Sequence, residues 1–343
     1  MSTLDQPMLI ATTGYHVGHQ RTIRIAEELG YFREEGLSDY EYDYRGLTPG
    51  PFERDGLGLI MQEHGVDIAA AANIESVVVQ RGRGEDMFIV GGWRYNSGTK
   101  FFVAKGIENF GQLKGKRIGV RETGSMTSRA VVVALQRAGV NPEEDIEWVC
   151  DPVFAYGNSE DHLDMLRTGK VDAMSARRAW ADKLAGEGYP MLIDATSPEY
   201  AKRPGRVVVA TRQTMEKRAD ELKGFLRAQI RAFWYCTDPD NFHDLYDRET
   251  RWRQQYTHNE DERQLRITTS RPNQPEQTIM PLDGQISHEG VEAIIQEMRE
   301  LGELESPLEL KDILRDEFVA DAFAELRSRP ACQPILKKLG VVG

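Results

Sequence analysis

Short apolar runs alternate with amphipathic segments along most of the 343-residue chain. The runs are rich in β-branched and aromatic residues, which favour extended structure, so each predicts a strand. The predicted strands span residues 8–13, 40–44, 65–69, 87–91, 100–105, 117–121, 146–150, 169–173, 189–194 and 206–211.

The intervening segments carry apolar residues at helical spacing, as in Ile23, Ala26 and Leu29. The predicted helices include residues 20–29, 52–63, 74–81, 161–167, 177–185, 222–236, 288–301 and 310–326. A chain that alternates strands with helices predicts an α/β fold with mainly parallel sheets. In such sheets ligands bind beyond the carboxyl ends of the strands, so the loops that follow strands hold the candidate site residues.

One of these loops, residues 122–128, leads from a strand into the helix that ends at Ala138. It contains Thr123, Ser125, Thr127 and Ser128. Backbone N–H groups at a helix N-terminus lack intrahelical partners and form the positive end of the helix dipole. A loop of small polar residues at this position therefore suits an anionic ligand. An ordinary N-cap is the alternative interpretation. Neither a P-loop nor a dinucleotide-binding fingerprint is present.

The first predicted loop, residues 14–19, contains Tyr15, His16 and His19. Tyr15 and His16 are candidate ligand contacts, and the two histidines are candidate acid–base groups if the protein is an enzyme. Surface loop histidines are the plainer alternative. Asn73 stands between a strand and a helix, where it either caps the helix or contacts a ligand.

The loop predicted after residue 91 contains Trp93, Arg94 and Tyr95. An arginine between aromatic residues can stack on a planar ligand and pair with its acid group. The alternative is an ion pair and packing in a hinge region. Arg177 follows a predicted strand and is a candidate ligand contact, whereas Arg178 is interpreted as a solvated charge at the start of a helix.

Composition narrows the functional classes. Hydrophobic residues make up 40% and charged residues 29%, as in globular proteins. The net charge of −12 disfavours nucleic acid and anionic membranes as partners. The three cysteines are widely spaced and the histidines show no metal-like spacing, so we expect no metal site and no cofactor.

No apolar run is long enough to span a bilayer. The N-terminus lacks the basic and apolar regions of a signal peptide. We therefore expect a cytoplasmic protein as the sequence stands, or a periplasmic one if a signal peptide has been removed.

Several motifs, in order, resemble those of the type II periplasmic-binding-protein fold, in the family of sulfonate, taurine, nitrate and thiamine-pyrimidine substrate-binding proteins of ABC importers. The motifs are LGYFREEGL at 29–37, GVDIA at 65–69, IENFGQLKGKRIGV at 107–120, LRTGKVDA at 166–173 with Trp180, and PLEL at 307–310 with Phe318. Together they are specific for the fold and say little about the ligand.

The resemblance implies a two-lobe α/β fold with a ligand cleft between the lobes. Lobe 1 would hold residues 1–103 and 206–343, and lobe 2 residues 104–205. It also implies a small polar or anionic ligand, hinge closure on binding, a monomer, and an ABC permease as partner if the protein is exported. The arginine between aromatic residues at 93–95 favours a planar acid as that ligand, such as an aromatic carboxylate or sulfonate.

Three functions stay open at this point. The first is a solute-binding protein. The second is a cytoplasmic enzyme on the same fold, such as a decarboxylase or a C–S or C–N lyase. The aromatic sulfinate desulfinase and the thiamine-pyrimidine synthase of this family use cysteines that are absent here, so His16 and His19 would be the catalytic candidates. The third is a cytoplasmic sensor or scavenger, which needs the cleft and no chemistry.

Overall fold

The computed structural model describes residues 6–12, 17–43, 57–95, 99–120, 126–151, 153–156, 160–194, 203–256 and 280–341. It describes only the backbone of residues 17–19, 43, 58–60, 99, 126–128, 155–156, 177–179 and 253–256. The described strands are β1 (Met8–Thr12), β2 (Tyr40–Asp43), β3 (Ile68–Asn73), β4 (Met87–Tyr95), β5 (Thr99–Val103), β6 (Lys116–Val120), β7 (Ile146–Cys150), β8 (Ala173–Arg177), β9 (Met191–Asp194) and β10 (Pro204–Thr211).

The helices alternate with these strands up to β8, and helices predominate after β10. They are α1 (Val17–Glu28), α2 (Tyr31–Glu34), α3 (Leu57–His64), α4 (Ile74–Gly82), α5 (Met126–Arg137), α6 (Val153–Tyr156), α7 (Glu160–Arg167), α8 (Arg178–Gly186), α9 (Arg212–Lys217), α10 (Ala219–Thr237), α11 (Phe242–Tyr256), α12 (His288–Glu300), α13 (Leu310–Ile313), α14 (Glu317–Ser328) and α15 (Gln333–Lys338). Short 3-10 helices lie at Phe110–Leu113, Pro239–Asn241 and Pro330–Cys332. No described helix is both long and apolar enough to cross a membrane.

The chain forms two compact units. The first is Met1–Tyr95 with Lys202–Gly343, and the second is Asn96–Ala201. The lobe boundaries expected from the sequence were 103/104 and 205/206, which would place β5 in the first lobe. In the structure β5 pairs with β8 and β9 in the sheet of the second unit. The assignment of the two units as lobes around a ligand stays a prediction.

Each unit contains one five-stranded mixed sheet. The strand orders are β2-β1-β3-β10-β4 in the first unit and β7-β6-β8-β5-β9 in the second. In each sheet four of the five strands run in the same direction, in line with the prediction of mainly parallel sheets. The exceptions are β10, which runs antiparallel to β3 and β4, and β5, which runs antiparallel to β8 and β9. The parallel pairs lie on the other side of each sheet, where helices connect the strands.

An aspartate makes the same pair of bonds in each sheet. The Asp67 carboxylate accepts the Leu9 N–H at 3.0 Å, and the Asp67 N–H donates to the Leu9 carbonyl at 2.9 Å. Asp172 does the same with Arg117, at 2.9 and 2.8 Å. These aspartates belong to the GVD and KVD motifs. The first motif therefore joins β3 to β1, and the second joins β8 to β6. The two units therefore repeat one topology although no sequence repeat is evident.

Alternation along the strands builds a core on both faces of the first sheet. Ile10, Ile68 and Val208 face one side, where they pack with α1, α10 and α14. Ala11, Ala69, Val207 and Val209 face the other side, where they pack with α4 and α12. Because both faces are covered, only the ends of these strands are available for binding.

The outer edge of β4 is covered by the segment that precedes α12. The Gly92 N–H donates to the Gly284 carbonyl at 2.8 Å. A Cβ at position 92 would lie 2.6 Å from the Gln285 carbonyl oxygen and 3.0 Å from Pro281 Cγ. The edge of the sheet is thus closed by close backbone approach that only glycine allows at this position.

We expect Gly92→Ala to lower the free energy of unfolding by about 1–3 kcal/mol, because the backbone of the covering segment must move. Urea unfolding followed by circular dichroism measures this loss. Gly186→Ala is the control, because nothing lies within 4 Å of a Cβ there. Equal stability of the Gly92→Ala variant and the unchanged protein would contradict the prediction.

Candidate functional site

Several predicted site residues lie outside the described residues or are described by backbone alone. Tyr15, His16, Thr123 and Ser125 belong to the first group. The second group consists of His19, Thr127, Ser128 and Arg177.

The backbone corrects the predicted ends of two loops. Helix α1 begins at Val17, so His19 lies in its first turn and not in a loop. Helix α5 begins at Met126, which places Thr127 and Ser128 in its first turn. Arg177 is the last residue of β8, a strand that lies four residues later in the chain than predicted. The candidate anion-binding positions therefore stand at a strand end and at helix starts, where anion binding remains physically sensible.

Trp93, Arg94 and Tyr95 were predicted in a loop and instead form the end of β4. The prediction was wrong because β10 pairs with β4 as far as Tyr95, which is level with Pro204. Pairing between strands distant in sequence overrides the local signal of the two glycines before Trp93.

Because side chains alternate between the two faces of β4, Trp93 points into the core. Its side chain is 4% exposed and its ring packs edge-on against Phe233, with centroids 6.1 Å apart. This position fits the packing alternative, because a buried indole offers no face to a ligand. Arg94 and Tyr95 are half-buried, at the point where β4 leaves the core.

Asn73, Arg94 and a third residue, Arg206, form a row across three adjacent strands. Arg206 on β10 is the register partner of Asn73 on β3 and of Arg94 on β4. All three side chains are half-buried, whereas most neighbouring strand residues are fully buried. Since β3 and β4 end here and β10 begins here, the row stands at the carboxyl edge of the sheet, where ligands bind in α/β folds.

Asn73 has a structural role at this edge. Its Oδ1 accepts the Ser76 N–H at 3.0 Å, so it is the N-cap of α4. The cap interpretation of Asn73 is therefore confirmed, and a ligand contact by the same side chain stays a prediction. The capped N-terminus also brings the positive end of the α4 dipole to the edge.

Arg206 is held by the backbone of β3. Its Nη1 donates to the Ala71 carbonyl at 2.8 Å. Ala71 is the one non-glycine residue with positive φ, at 58°, in the described part of the chain. The register of β10 against β3 shifts between Val207 and Val209, opposite this stretch. Backbone strain of this kind clusters at functional sites.

A buried ion-pair cluster fixes the start of β10 beside this row. Arg203 pairs with Glu75 at 3.3 Å and with Glu297. Burial lowers the pKa of Arg203, and the two carboxylates outweigh this effect and raise it, so the guanidinium stays charged. Glu75 lies in the first turn of α4, where the helix dipole also favours its negative charge.

Other polar groups extend the edge on both sides. The Tyr95 hydroxyl donates to the Gln285 carbonyl at 3.4 Å, and burial together with Asp283 raises the pKa of Tyr95. The Tyr42 hydroxyl donates to Thr12 Oγ1 at 3.2 Å at the end of β1. Among the residues that the structure describes, no group of three or more His, Cys, Asp or Glu side chains is arranged to hold a metal ion.

This geometry can bind an anion by charge-assisted hydrogen bonds. The sequence pointed to Asn73 and Arg94 and missed Arg206. The signal available in the sequence was a lone charged residue at the start of an apolar strand, RVVVAT. Its register against β3 and β4, which gives it meaning, depends on pairing that no local pattern reveals.

Comparison with known proteins places the chain in a family. Residues 20–241, more than half of the chain, match the family described as NMT1/THI5 like, so the protein belongs to that family. No curated protein matches the sequence significantly.

Solved structures share its fold. The periplasmic aliphatic sulphonate binding protein SsuA from Escherichia coli is 16% identical, with a TM-score of 0.56 over 90% of this chain and 92% of that one. The periplasmic nitrate-binding protein NrtA from Synechocystis PCC 6803 is 14% identical, with a TM-score of 0.60 over 96% and 90%. The desulfurization enzyme DSZB is 16% identical, with a TM-score of 0.56 over 93% and 99%. The fold is thus that of periplasmic binding proteins, as the resemblance implied.

Proposed function

We propose that the protein is a solute-binding component of an ABC importer and takes a small organic anion at the carboxyl edge of its first sheet. The observation that carries this proposal is the half-buried Arg94, level with Arg206 and near the capped N-terminus of α4. Family membership and the fold shared with sulfonate- and nitrate-binding proteins support it. The role implies a permease as partner.

The chemistry of the ligand follows from the groups at this edge. Arg94 supplies a fork of N–H donors that matches an acid group. The aromatic character of the ligand, which the sequence drew from Trp93 and Tyr95, now has Tyr95 as its support, because Trp93 lies in the core. The predicted contacts from residues 15, 16, 123 and 125 lie outside the described residues and belong to the same proposal.

A thermal-shift assay tests the proposal with benzoate, benzenesulfonate, taurine and nitrate as probes. A ligand at about 100 times its dissociation constant adds about 2.7 kcal/mol to the free energy of unfolding. We expect Arg94→Ala to abolish the shift given by the best probe, because it removes a charge-assisted contact.

Arg212→Ala is the matched control for this experiment. Arg212 follows the other end of β10 and pairs with Asp86 at 3.2 Å, in an exposed position. This variant should keep the full ligand-induced shift. A shift that survives in Arg94→Ala and disappears in Arg212→Ala would refute the placement of the site.

The second candidate function is an enzyme that acts on a small aromatic acid. The similarity to the desulfurization enzyme DSZB favours it, because that protein shows that the fold can hold an enzyme. The sequence between β1 and α1, TGYH, contains no cysteine, so His16 and His19 are the candidate bases. Mass spectrometry of products after incubation with aromatic sulfinates and carboxylates distinguishes the two functions. Unchanged turnover in both His16→Ala and His19→Ala would exclude these histidines.

A further inference from the structure

Three arginines surround the ring of Phe88 at the amino end of β4. The guanidinium carbons of Arg81, Arg315 and Arg212 lie 4.5, 4.6 and 4.8 Å from the ring centroid. Phe88 is fully buried, so the three cationic groups share one small region around its ring. We propose that these three arginines, the arginine surface, bind an acidic peptide segment of a partner protein through its aspartate or glutamate carboxylates.

Three separate parts of the chain bring these arginines together. Arg81 lies in the last turn of α4, which precedes β4. Arg212 directly follows the end of β10, which pairs with the start of β4. The Arg315 N–H donates to the carbonyl of Ile89, the residue after Phe88, at 2.8 Å. The arginine surface therefore exists only in the folded protein.

The three arginines have one ion pair with a carboxylate among the described residues. Arg212 Nε lies 3.2 Å from Asp86 Oδ1, and both side chains are about half-exposed. Arg81 uses Nε and Nη1, and Arg315 uses Nη1, to donate to main-chain carbonyls. Within the described contacts, the Nη2 group of each arginine is left to donate to a partner. Arginine forks of this kind suit the carboxylates of an interface.

Positive charge is in excess at the arginine surface. Burial lowers the pKa of Arg81, and Arg212 and Arg315 lower it further. Asp86 and Asp312 act in the opposite direction, but two carboxylates do not balance three cations. The whole chain carries a net charge of −12, so an acidic segment is repelled by most of the molecule and attracted here.

The arginine surface is separate from the candidate ligand site. Phe88 is the second residue of β4 and Arg94 is the eighth. A strand rises about 3.4 Å per residue, so the two positions are about 20 Å apart. The arginine surface lies at the amino end of β4, and the candidate ligand site lies at the carboxyl edge. An acidic partner can therefore bind without occupying the ligand site.

Fluorescence anisotropy with a labelled hexaglutamate peptide, in about 50 mM salt to limit screening, tests the arginine surface. We expect Arg212→Glu to weaken binding at least about tenfold, because it replaces attraction with repulsion. Arg212→Lys keeps the charge and should change the affinity less than about threefold. Asp86→Asn should tighten binding about two- to fivefold, because it removes the carboxylate that competes for Arg212. A purely structural role of the arginines predicts no tightening.

The control is Arg33→Gln, because Arg33 is an exposed arginine on α2 in the same unit, and it should leave the affinity unchanged. Circular dichroism checks the folding of every variant. The proposal is refuted if the unchanged protein does not bind the peptide, or if Arg212→Glu binds it equally well. Equal losses in Arg33→Gln and Arg212→Glu would show non-specific attraction and also refute it.

Inorganic phosphate distinguishes a peptide surface from a small-anion site. Addition of about 1 mM phosphate should leave most of the peptide bound, because one small anion cannot replace several carboxylates. Complete displacement would overturn the assignment to an acidic peptide. The thermal shift given by the small-anion ligand should persist in every Arg212 variant, so this proposal and the proposed function fail independently.

Discussion

Glu35→Gln is expected to lower the free energy of unfolding by about 3–5 kcal/mol, the usual loss when one partner of a buried ion pair is removed. The Glu35 side chain is fully buried and pairs with Arg227 at 2.8 Å and with Arg231 and Arg329 at 2.7 Å. Arg227 and Arg231 lie on α10, and Arg329 directly follows α14. Glu35 therefore joins the end of α2 to both helices. Glutamine accepts fewer hydrogen bonds and leaves three guanidinium groups without their shared carboxylate.

The same cluster predicts how stability depends on pH. Burial raises the pKa of Glu35, but hydrogen bonds from Arg329, Arg231 and Arg227 outweigh burial and lower it below the ordinary value of 4.5. A carboxylate with a lowered folded-state pKa contributes its full stability above the unfolded-state pKa and loses it as the pH falls through the folded-state value. The unchanged protein should therefore lose stability below about pH 4.5, and Glu35→Gln should lose less over that interval.

Urea unfolding between pH 3 and pH 7 measures both effects. Glu34→Gln is the matched control, because Glu34 is the adjacent residue, is largely exposed and pairs with Arg231 at 2.6 Å. An exposed pair contributes about 0–1 kcal/mol. If Glu34→Gln and Glu35→Gln lost the same stability at pH 7, the central role of Glu35 would be wrong.

Glu35 illustrates why much of the fold could be predicted from the sequence. It belongs to the motif LGYFREEGL, in which Phe32 and Leu37 are buried and Gly30 and Gly36 have positive φ of 75° and 87°. Every one of these features serves a turn or the core. Asp67 in the motif GVDIA likewise pairs with Arg218 at 3.0 Å and with the Leu9 N–H. The recognised motifs therefore specify how the strands and helices join.

The candidate site was less predictable for the same reason. Asn73 and Arg94 were predicted because they follow apolar runs. The strand position of Trp93 and the alignment of Arg206 with Asn73 and Arg94 depend on the pairing of β10 with β3 and β4, and β10 lies more than 100 residues after both strands in the chain. Local pattern carries no information on such pairing. The antiparallel direction of β10 and β5 was missed on the same grounds, since an apolar run does not reveal its direction.

Glu249→Gln is expected to cost about 3–5 kcal/mol, because it leaves a buried arginine without its carboxylate. Arg21 on α1 pairs with Glu249 on α11, and their side chains are 6% and 2% exposed. Burial lowers the pKa of Arg21, but Glu249 outweighs this effect and raises it, so the guanidinium stays charged in the folded protein. Urea unfolding at pH 7 measures the loss.

A second polar contact joins the same two helices. The Trp252 Nε1–H donates to Glu28 at 2.5 Å, and Arg248 also pairs with Glu28. Arg248 pairs with Asp244 at 2.6 Å as well, on a half-exposed surface. Asp244→Asn is therefore the control, with an expected loss of at most about 1 kcal/mol.

The double variant Arg21→Met/Glu249→Leu separates stability from positioning. Replacing a buried ion pair with apolar residues of similar volume is often neutral or stabilising by about 1–4 kcal/mol. We expect the double variant to recover most of the stability lost in Glu249→Gln. Equal loss in the single and double variants would show that an unpaired buried charge is not the cause.

The ligand-induced thermal shift of the double variant then shows what the ion pair does besides stabilising. Helix α1 begins at Val17, directly after the residues that hold Tyr15 and His16. A buried ion pair can fix one register of two helices, whereas apolar contacts allow several. If the double variant regains stability but loses the shift given by the best anion, Arg21 and Glu249 position α1 for binding. If both are regained, the pair contributes nothing to the site, and its charges serve only the packing of α11 on α1.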